Sequence, residues 1–379
     1  MKALIFATDI LPCPGLPTSG TALRTFGFKS GFESQGCETR VCVPKMAFET
    51  TWSKASAELR LELAQFEPYL FDHLNSDHLV YDYQPDFVYC GHWPAAHFTK
   101  RPDCPVVIDL AGPHLLERFY QGSGDYAGGI IAKLNALSSA DYFIVSGNRQ
   151  REYFTSFLIR AGIEELDQRI ILAPMALPPI CPTRTRISGQ EMKFLFAGIF
   201  LPWQDPSVGL KAVVSTLTRE NKGLLRLIGG THPTYPVPPG VYESLFESFK
   251  SSSRVSRSEL LPLEKLNEEM LQSDVAVDLM AWNLERELAV TIRTTTYLAS
   301  GLPVIYNNFS DLSELIDKYN AGWTVNPTDE VAIGKVVSEI LANPDEVVRR
   351  STNARHLAES EFAWDKHAKE IISRVKNDL

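Results

Sequence analysis

The sequence predicts an α/β protein built from two Rossmann-like domains, and three observations lead to this prediction. Short apolar runs alternate with longer helical patterns along the whole chain, as expected of parallel sheets with crossover helices. The length of 379 residues exceeds what one ordinary hydrophobic core needs. A proline-rich break between Ala173 and Gln190, which contains Pro178-Pro179, separates two stretches that repeat the same alternation.

The composition is that of a soluble globular protein, with 44% hydrophobic and 22% charged residues. The formal net charge of -9 argues against a nucleic-acid-binding protein, which needs a basic face. None of the six cysteines forms a C-x-x-C pair, so we expect reduced thiols rather than a disulfide framework. The N-terminus is typical of a first strand rather than a signal peptide, and no long apolar window predicts a membrane span. A cytoplasmic location follows, with peripheral contact at the inner membrane face left open.

In the first half, each predicted strand is a short apolar run that ends in polar or glycine residues. The predicted strands are 3–7, 38–43, 85–90, 105–110, 140–146 and 170–172. The apolar spacing predicts helices over 21–33, 58–74 and 149–161. The glycine-rich stretch 121–129 lacks the placement of a phosphate-binding motif after a strand, and it predicts a mobile loop.

The second half restarts the pattern and defines the domain boundaries. Its predicted strands are 193–198, 224–230, 274–279, 304–306 and 323–325. Its predicted helices are 207–218, 263–271, 329–341, 347–358 and 364–375. We therefore expect an N-terminal domain over 1–180, a C-terminal domain over 190–360 and a closing helical segment over 361–379.

A charged loop in the second half is the main candidate site. Glu285, Arg286, Glu287 and Arg293 lie between a buried strand and a helix that ends in Gly301-Leu302-Pro303. A polar loop that begins a helix between two strands is where an α/β protein holds an anion. The alternative is a solvated helix start, in which the two arginines pair with the two glutamates.

Other candidate residues follow the ends of other predicted strands. Gly20 lies where the first helix begins, and it leaves room for a phosphate beside the backbone amides. Gly230 and His232 lie at the end of the second strand of the second half. Asp109 and His114 lie at or near the end of a strand of the first half and could act as a base or bind a sugar hydroxyl. The alternative for these two is a capping carboxylate and an ordinary loop histidine.

The whole chain resembles the GT-B-fold glycosyltransferases, most closely glycosyltransferase family 4 and its bacterial relatives. The resemblance is carried by the loop from Asp9 to Gly20, by Ala197-Gly198, by Leu227-Ile228-Gly229-Gly230 and above all by Ala299-Ser300-Gly301-Leu302-Pro303-Val304-Ile305. It implies two Rossmann-like domains that face an interdomain cleft. It implies that the second domain binds a nucleotide-diphosphate sugar, that the first binds the acceptor, and that the closing helix crosses back to the first domain.

Two departures from the family pattern alter the expected site. Ile199 and Gln204 stand where the family commonly has an arginine and a lysine for the diphosphate. The family also has two glutamates separated by seven residues, at positions that here are Leu288 and Thr296, and Glu287 lies one residue from the first.

The leaving nucleoside diphosphate still needs cations or amide donors to stabilise its negative charge. In the sequence, the nearest candidates for this role are close to the charged loop. The predicted donor-binding residues are Gly20, Gly198, Gly230, His232, Arg286, Arg293, Thr294, Thr295 and Thr296. The predicted catalytic residues are Asp109, His114 and Glu287, of which Glu287 is expected to bind hydroxyls of the donor sugar.

The function predicted from this resemblance is transfer of a sugar from a nucleotide-diphosphate sugar to an acceptor hydroxyl in bacterial glycan, polysaccharide or glycoconjugate biosynthesis. The resemblance implies a retaining reaction, in which the leaving phosphate takes the acceptor proton; an inverting reaction would need Asp109 or His114 as the base. No D-x-D pair lies in a suitable loop, so neither a metal nor another cofactor is expected. The acceptor is a glycan, a lipid-linked molecule or a small molecule. The alternatives are a sugar-nucleotide epimerase, a phosphorylase and a non-catalytic GT-B subunit that binds a partner transferase.

Overall fold

A computed structural model describes residues 1–122, 124–174, 190–232 and 242–378. The chain divides into two compact units. The first comprises the described residues up to 174 together with those from 362 onward, and the second comprises the described residues from 190 to 361. The predicted linker prolines Pro178, Pro179 and Pro182 and the thiol of Cys181 lie outside the described residues.

The first unit contains a parallel sheet of seven strands among its described residues, in the order β3-β2-β1-β4-β5-β6-β7. The strands are β1 (Lys2–Phe6), β2 (Glu38–Pro44), β3 (Leu70–Phe71), β4 (Phe87–Cys90), β5 (Val106–Asp109), β6 (Tyr142–Val145) and β7 (Ile170–Leu172). The helices are α1 (Gly20–Ser34), α2 (Lys45–Lys54), α3 (Ala57–Leu63), α4 (Ser76–Tyr83), α5 (His114–Tyr120), α6 (Tyr126–Ser138), α7 (Asn148–Arg160) and α8 (Leu166–Arg169).

Side-chain alternation along β1 shows how this sheet is covered. Leu4 and Phe6 pack in a cluster with Leu137 of α6 and Phe154 of α7 on one face. The residues between them, such as Ile5, pack on the other face in a cluster supplied by α1 and the C-terminal helix. Because helices cover both faces, the central strands β4, β5 and β6 are buried at every position and mostly apolar, as parallel strands generally are.

The second unit repeats the architecture with a six-stranded parallel sheet among its described residues, in the order β10-β9-β8-β11-β12-β13. Its strands are β8 (Lys193–Ile199), β9 (Leu224–Gly230), β10 (Val255–Ser258), β11 (Val275–Asp278), β12 (Val304–Tyr306) and β13 (Gly322–Thr324). Its helices are α9 (Ser207–Glu220), α10 (Tyr242–Phe249), α11 (Leu263–Gln272), α12 (Leu284–Leu288), α13 (Ile292–Ala299), α14 (Asp311–Tyr319), α15 (Glu330–Ala342) and α16 (Pro344–Glu361). The predicted α/β class with two Rossmann-like domains is confirmed.

The last helix, α17 (Trp364–Lys376), belongs to the first unit although it follows α16 of the second in the chain. Its apolar face lies against α1, and the contact is close because α1 has a glycine there. A Cβ atom at Gly31 would lie 2.6 Å from the Cβ atom of Ala368 and 2.9 Å from the carbonyl oxygen of Trp364. The hydroxyl of Tyr142 donates to the carbonyl oxygen of Arg374 at 3.0 Å, which fixes the far end of α17 to β6.

Two segments differ from the sequence-based expectation. The predicted helix 58–74 is broken, because α3 ends at Leu63 and a 3-10 helix, Ala64–Tyr69, leads into β3. Pro68 lies inside the 3-10 helix and lacks the amide hydrogen that an α-helix needs. The predicted loop 121–129 also ends early, since α6 begins at Tyr126 with Asp125 as its cap, whose carboxylate accepts from the amide of Gly128 at 2.9 Å. The sequence pattern also did not predict the strands β3 and β10 or the helices α2, α4, α5, α8, α10, α12 and α14.

Within the described parts of the chain, the helices are too short or too polar to cross a lipid bilayer.

Candidate functional site

The predicted charged loop folds into two short helices, α12 and α13, that follow the carboxyl end of β11. Asn283 caps α12, and its side-chain oxygen accepts from the amide of Arg286 at 3.0 Å. Thr291 precedes α13, and its hydroxyl donates to the carboxylate of Asp278 at 3.2 Å. The start of α13 is thus tied to the carboxyl end of β11.

Arg293 of α13 lies directly against Gly198 of β8. A Cβ atom at Gly198 would lie 2.5 Å from both Nε and Nη2 of Arg293, so a larger residue could not occupy this position without moving the guanidinium. Arg293 donates from Nη1 to Oδ1 of Asp278 at 3.1 Å and from Nη2 to Oε1 of Gln204 at 3.1 Å. Its guanidinium also lies 5.1 Å from the ring centre of Phe196. The structure therefore places one oriented cation at the carboxyl end of β8.

Asp278 is the shared acceptor of a cluster that it forms with Thr291, Arg293 and Thr294. No role was predicted for Asp278 from the sequence. Its side chain is 1% exposed, and it accepts hydrogen bonds from Arg293, from the Thr294 hydroxyl at 2.5 Å and from the Thr291 hydroxyl. A buried carboxylate needs such partners because burial without them is unfavourable. The signal that could have found it is an acidic residue at the end of an otherwise apolar strand.

Arg286 does not present the free guanidinium that the predicted phosphate role requires. It pairs with its neighbour Glu285 through Nε–Oε2 at 2.5 Å and Nη2–Oε1 at 2.6 Å, and both side chains are at most 5% exposed. Burial acts to lower the pKa of Arg286, but attraction to Glu285, and to Asp278 and Tyr306 beyond it, raises the pKa above its ordinary value. The alternative of an ion pair within the loop is the arrangement that the structure shows for this residue.

The three threonines of α13 are also buried, at 0%, 0% and 6% exposure for Thr294, Thr295 and Thr296. The hydroxyl of Thr294 donates to Asp278, and those of Thr295 and Thr296 donate to the carbonyl oxygen of Ile292. Their hydroxyl hydrogens are therefore used inside the unit, and the donor-binding role of the three residues stays a prediction.

Glycines at the end of β9 make room for neighbouring side chains. A Cβ atom at Gly229 would lie 2.1 Å from the ring of Phe200, and one at Gly230 would lie 3.2 Å from Oε2 of Glu259. His232 follows β9 and is half-buried. In the first unit, Gly20 is the first residue of α1, behind the capping side chain of Ser19. The donor-binding roles of Gly20, Gly230 and His232 stay predictions.

Asp109 does not fit the predicted role of a base. It is fully buried, and Arg24 binds it through Nε–Oδ2 at 2.5 Å and Nη2–Oδ1 at 3.1 Å. The Tyr89 hydroxyl donates to Oδ2 at 3.0 Å, and the Ala111 amide donates to Oδ1 at 3.0 Å. Arg24 also donates to the carbonyl oxygen of Ala173. Asp109 therefore anchors α1 to the carboxyl ends of β5 and β7.

His114, the first residue of α5, remains accessible, with 32% of its side chain exposed. Its Nδ1 lies 3.4 Å from Oε2 of Glu117, and its ring lies 5.4 Å from the ring of His92 and 5.6 Å from that of Trp93. Burial lowers the pKa of His92 well below its ordinary value, with a smaller contribution from the charge of His114. An accessible imidazole beside a carboxylate can exchange a hydrogen bond with a ligand hydroxyl.

The sequence interpretation also missed Lys133 of α6, which lies fully buried near this histidine group. Its Nζ atom has no hydrogen-bond partner among the described residues and lies 4.4 Å from the ring centre of Phe154 and 4.1 Å from that of Phe157. Burial lowers its pKa from 10.5 to about 7, although the charge of Glu117 opposes the shift. A lysine in an otherwise apolar helix was the available signal.

The sequence matches no protein-family model and no curated protein. Solved structures match over nearly the whole chain at low sequence identity. Sucrose-phosphate synthase from Thermosynechococcus elongatus has a TM-score of 0.71 at 15% identity, covering 99% of this chain and 98% of that chain. Anabaena Alr3699/HepE in complex with UDP-glucose has a TM-score of 0.67 at 13% identity, covering 100% of both chains. WaaG, a glycosyltransferase involved in lipopolysaccharide biosynthesis, has a TM-score of 0.60 at 16% identity, covering 98% of both chains. At sequence identities this low, the structural similarity establishes the fold of the chain, which is GT-B.

Proposed function

We propose that this protein is a glycosyltransferase that moves a sugar from a nucleotide-diphosphate sugar to an acceptor hydroxyl. The observation that carries the proposal is the guanidinium of Arg293, held against Gly198 at the carboxyl end of β8. Ligands of open α/β sheets bind outside the carboxyl ends of the strands. The shared fold supports the same reaction class, since its neighbours include a sucrose-phosphate synthase and a protein solved with UDP-glucose.

Arg293 can meet the charge that develops on the leaving nucleoside diphosphate. Asp278 and Gln204 orient the guanidinium, while its Nε–H group makes no hydrogen bond to the described residues. Arginine suits phosphate because its planar donors can bind two oxygens at once. A cation oriented before the reaction stabilises the developing charge without reorganising. We therefore infer that Arg293 takes the place of the cations absent at Ile199 and Gln204.

The proposed type of reaction depends on which side chains are available to act as a base. Asp109 is saturated by Arg24 and Tyr89, so it is not available to remove a proton from an acceptor. We propose a retaining, metal-independent reaction, as in glycosyltransferase family 4, in which the leaving phosphate accepts the acceptor proton. His114 is the proposed hydrogen-bond partner of the acceptor, which we infer to be a glycan or glycoconjugate.

The test is release of nucleoside diphosphate from a panel of nucleotide sugars that begins with UDP-glucose. We expect Arg293→Ala to lower kcat by roughly 10²–10³-fold, as loss of one charge-stabilising donor does. The matched control is Arg254→Ala, since Arg254 forms a partly exposed ion pair with Glu191 in the same unit. Wild-type protein that binds none of the nucleotides would support a non-catalytic subunit instead. A folded Arg293→Ala variant with unchanged release would contradict the role of Arg293.

A further inference from the structure

We propose that Trp282 is a specificity-determining residue, whose indole ring stacks on the pyranose ring of the donor sugar. The proposal rests on the proposed function, because it assumes that this unit binds a nucleotide sugar. Trp282 lies between β11 and α12, and 59% of its surface is exposed. The exposed part of this ring is apolar surface that a ligand could cover.

The backbone on both sides of Trp282 is held in place. The amide of Ala281 donates to the carbonyl oxygen of Asp205 at 2.7 Å. The side-chain amide of Asn283 donates to the carbonyl oxygen of Trp203 at 2.7 Å, while its oxygen caps α12. The segment that carries Trp282 is therefore fixed to the loop after β8, the strand that carries Gly198.

The indole ring itself is also oriented. Its Nε1–H group donates to Oε2 of Glu287 at 2.9 Å. The other carboxylate oxygen, Oε1, accepts no hydrogen bond from the residues that the structure describes. Glu287 thus holds the ring by one carboxylate oxygen at the edge of the indole, and the other oxygen has no partner among the described residues.

This combination suits a sugar more than an apolar ligand. A pyranose ring has a face of C–H groups that can cover an aromatic ring, and its hydroxyls lie at the edge, where a carboxylate accepts hydrogen bonds. Pre-oriented groups bind with a smaller loss of conformational entropy. We therefore assign Glu287 the role of orienting Trp282 and binding a sugar hydroxyl, rather than a role in bond breaking.

The experiment compares calorimetric affinities for nucleotide sugars and for the matching free nucleoside diphosphates, over the uridine, guanosine, adenosine and thymidine series. We expect Trp282→Ala to weaken binding of the nucleotide sugar about tenfold or more and to leave binding of the free diphosphate within about twofold. Trp282→Phe should retain part of the affinity, because it retains a ring but loses the hydrogen bond to Glu287. The control is Tyr81→Ala, which removes an aromatic side chain that is 75% exposed in the first unit.

Each outcome decides between specific alternatives. Equal affinities of wild type and Trp282→Ala for the nucleotide sugar would overturn the stacking role while leaving the proposed function intact. If Trp282→Ala lost only its use of an acceptor, or only its binding to a partner protein, the stacking role of Trp282 would also be overturned. If the wild type binds none of these nucleotides, the proposed function and this inference fail together.

Discussion

At the scale of single residues, the pairing of charged side chains decides which of them can still bind a ligand. Arg286 and Arg293 are equivalent in the sequence, but Glu285 neutralises the buried Arg286, whereas Asp278 and Gln204 orient the more exposed Arg293. Exposure of 5% against 15% separates a structural ion pair from a cation that can still meet a ligand. The glycine at position 198 belongs to this arrangement because only a residue without Cβ leaves room for the guanidinium.

Gly198→Ala tests that steric relation. The added Cβ atom would occupy the position of the Arg293 guanidinium and displace it, so we expect nucleotide-sugar turnover to fall by roughly 10–100-fold. The thermal midpoint should fall as well, because the displaced guanidinium no longer binds the buried carboxylate of Asp278. Gly124→Ala is the control, because a Cβ atom there meets no atom within 4 Å. Unchanged turnover in Gly198→Ala would show that the guanidinium position is not needed.

Lys133 gives a second prediction, about stability. In the folded protein burial lowers its pKa from 10.5 to about 7, whereas in the unfolded chain it keeps the ordinary value. The unfolded chain therefore binds more protons between pH 7 and 10.5, and the free energy of unfolding should rise with pH over this interval. Below pH 7 Lys133 is protonated in both the folded and the unfolded state. The unfavourable free energy of burying its charge therefore does not change with pH.

We expect Lys133→Met to raise the free energy of unfolding at pH 7 by roughly 2–4 kcal/mol and to remove that part of the pH dependence. Methionine keeps a similar volume without a charge to bury. Urea denaturation at pH 7 and pH 9 measures both effects. Destabilisation at pH 7 would mean that the contacts of the ammonium with Phe154 and Phe157 outweigh its desolvation.

At the scale of helices and strands, the elements were predictable where one physical signal dominates. Continuous apolar runs identified the central strands because both faces of each sheet are covered. The predicted extent of the helix 58–74 is wrong, because the leucine spacing favours a helix through a segment that Pro68 interrupts. The predicted loop 121–129 is wrong at its end, because its glycines favour a loop whereas Asp125 caps a helix that begins at Tyr126. The short edge strand β10 has too little apolar pattern to be recognised.

The crossing of α1 and α17 leaves little room between the two helices. Gly31→Ala would place a Cβ atom 2.6 Å from that of Ala368, so we expect a loss of about 1–3 kcal/mol in the free energy of unfolding. Thermal or urea denaturation measures it. The double variant with Ala368→Gly should recover part of the loss, because one of the two clashing carbons is removed. Equal stability of Gly31→Ala and wild type would contradict the close crossing.

At the scale of the whole molecule, the repeated strand–helix order indicated two Rossmann-like domains, and the solved structures establish the GT-B fold at identities of 13–16%. The chemistry of the site was less predictable. Arg24 lies 85 residues from Asp109, Asp278 lies 15 residues from Arg293, and Lys133 and Phe157 lie on different helices, so only the fold brings these pairs together. A local pattern shows which side chains carry charge, but burial and long-range pairing decide which charges remain available to a ligand.

The most direct test of the central claim is calorimetric titration of wild type and Arg293→Ala with a nucleoside diphosphate and with the corresponding nucleoside. If Arg293 binds the diphosphate, the variant should bind the diphosphate at least about tenfold more weakly and the nucleoside equally well. Arg293→Lys should bind with intermediate affinity, because it keeps the charge and loses the two-oxygen geometry. Equal diphosphate affinity of wild type and Arg293→Ala would contradict the claim that this cation holds the donor.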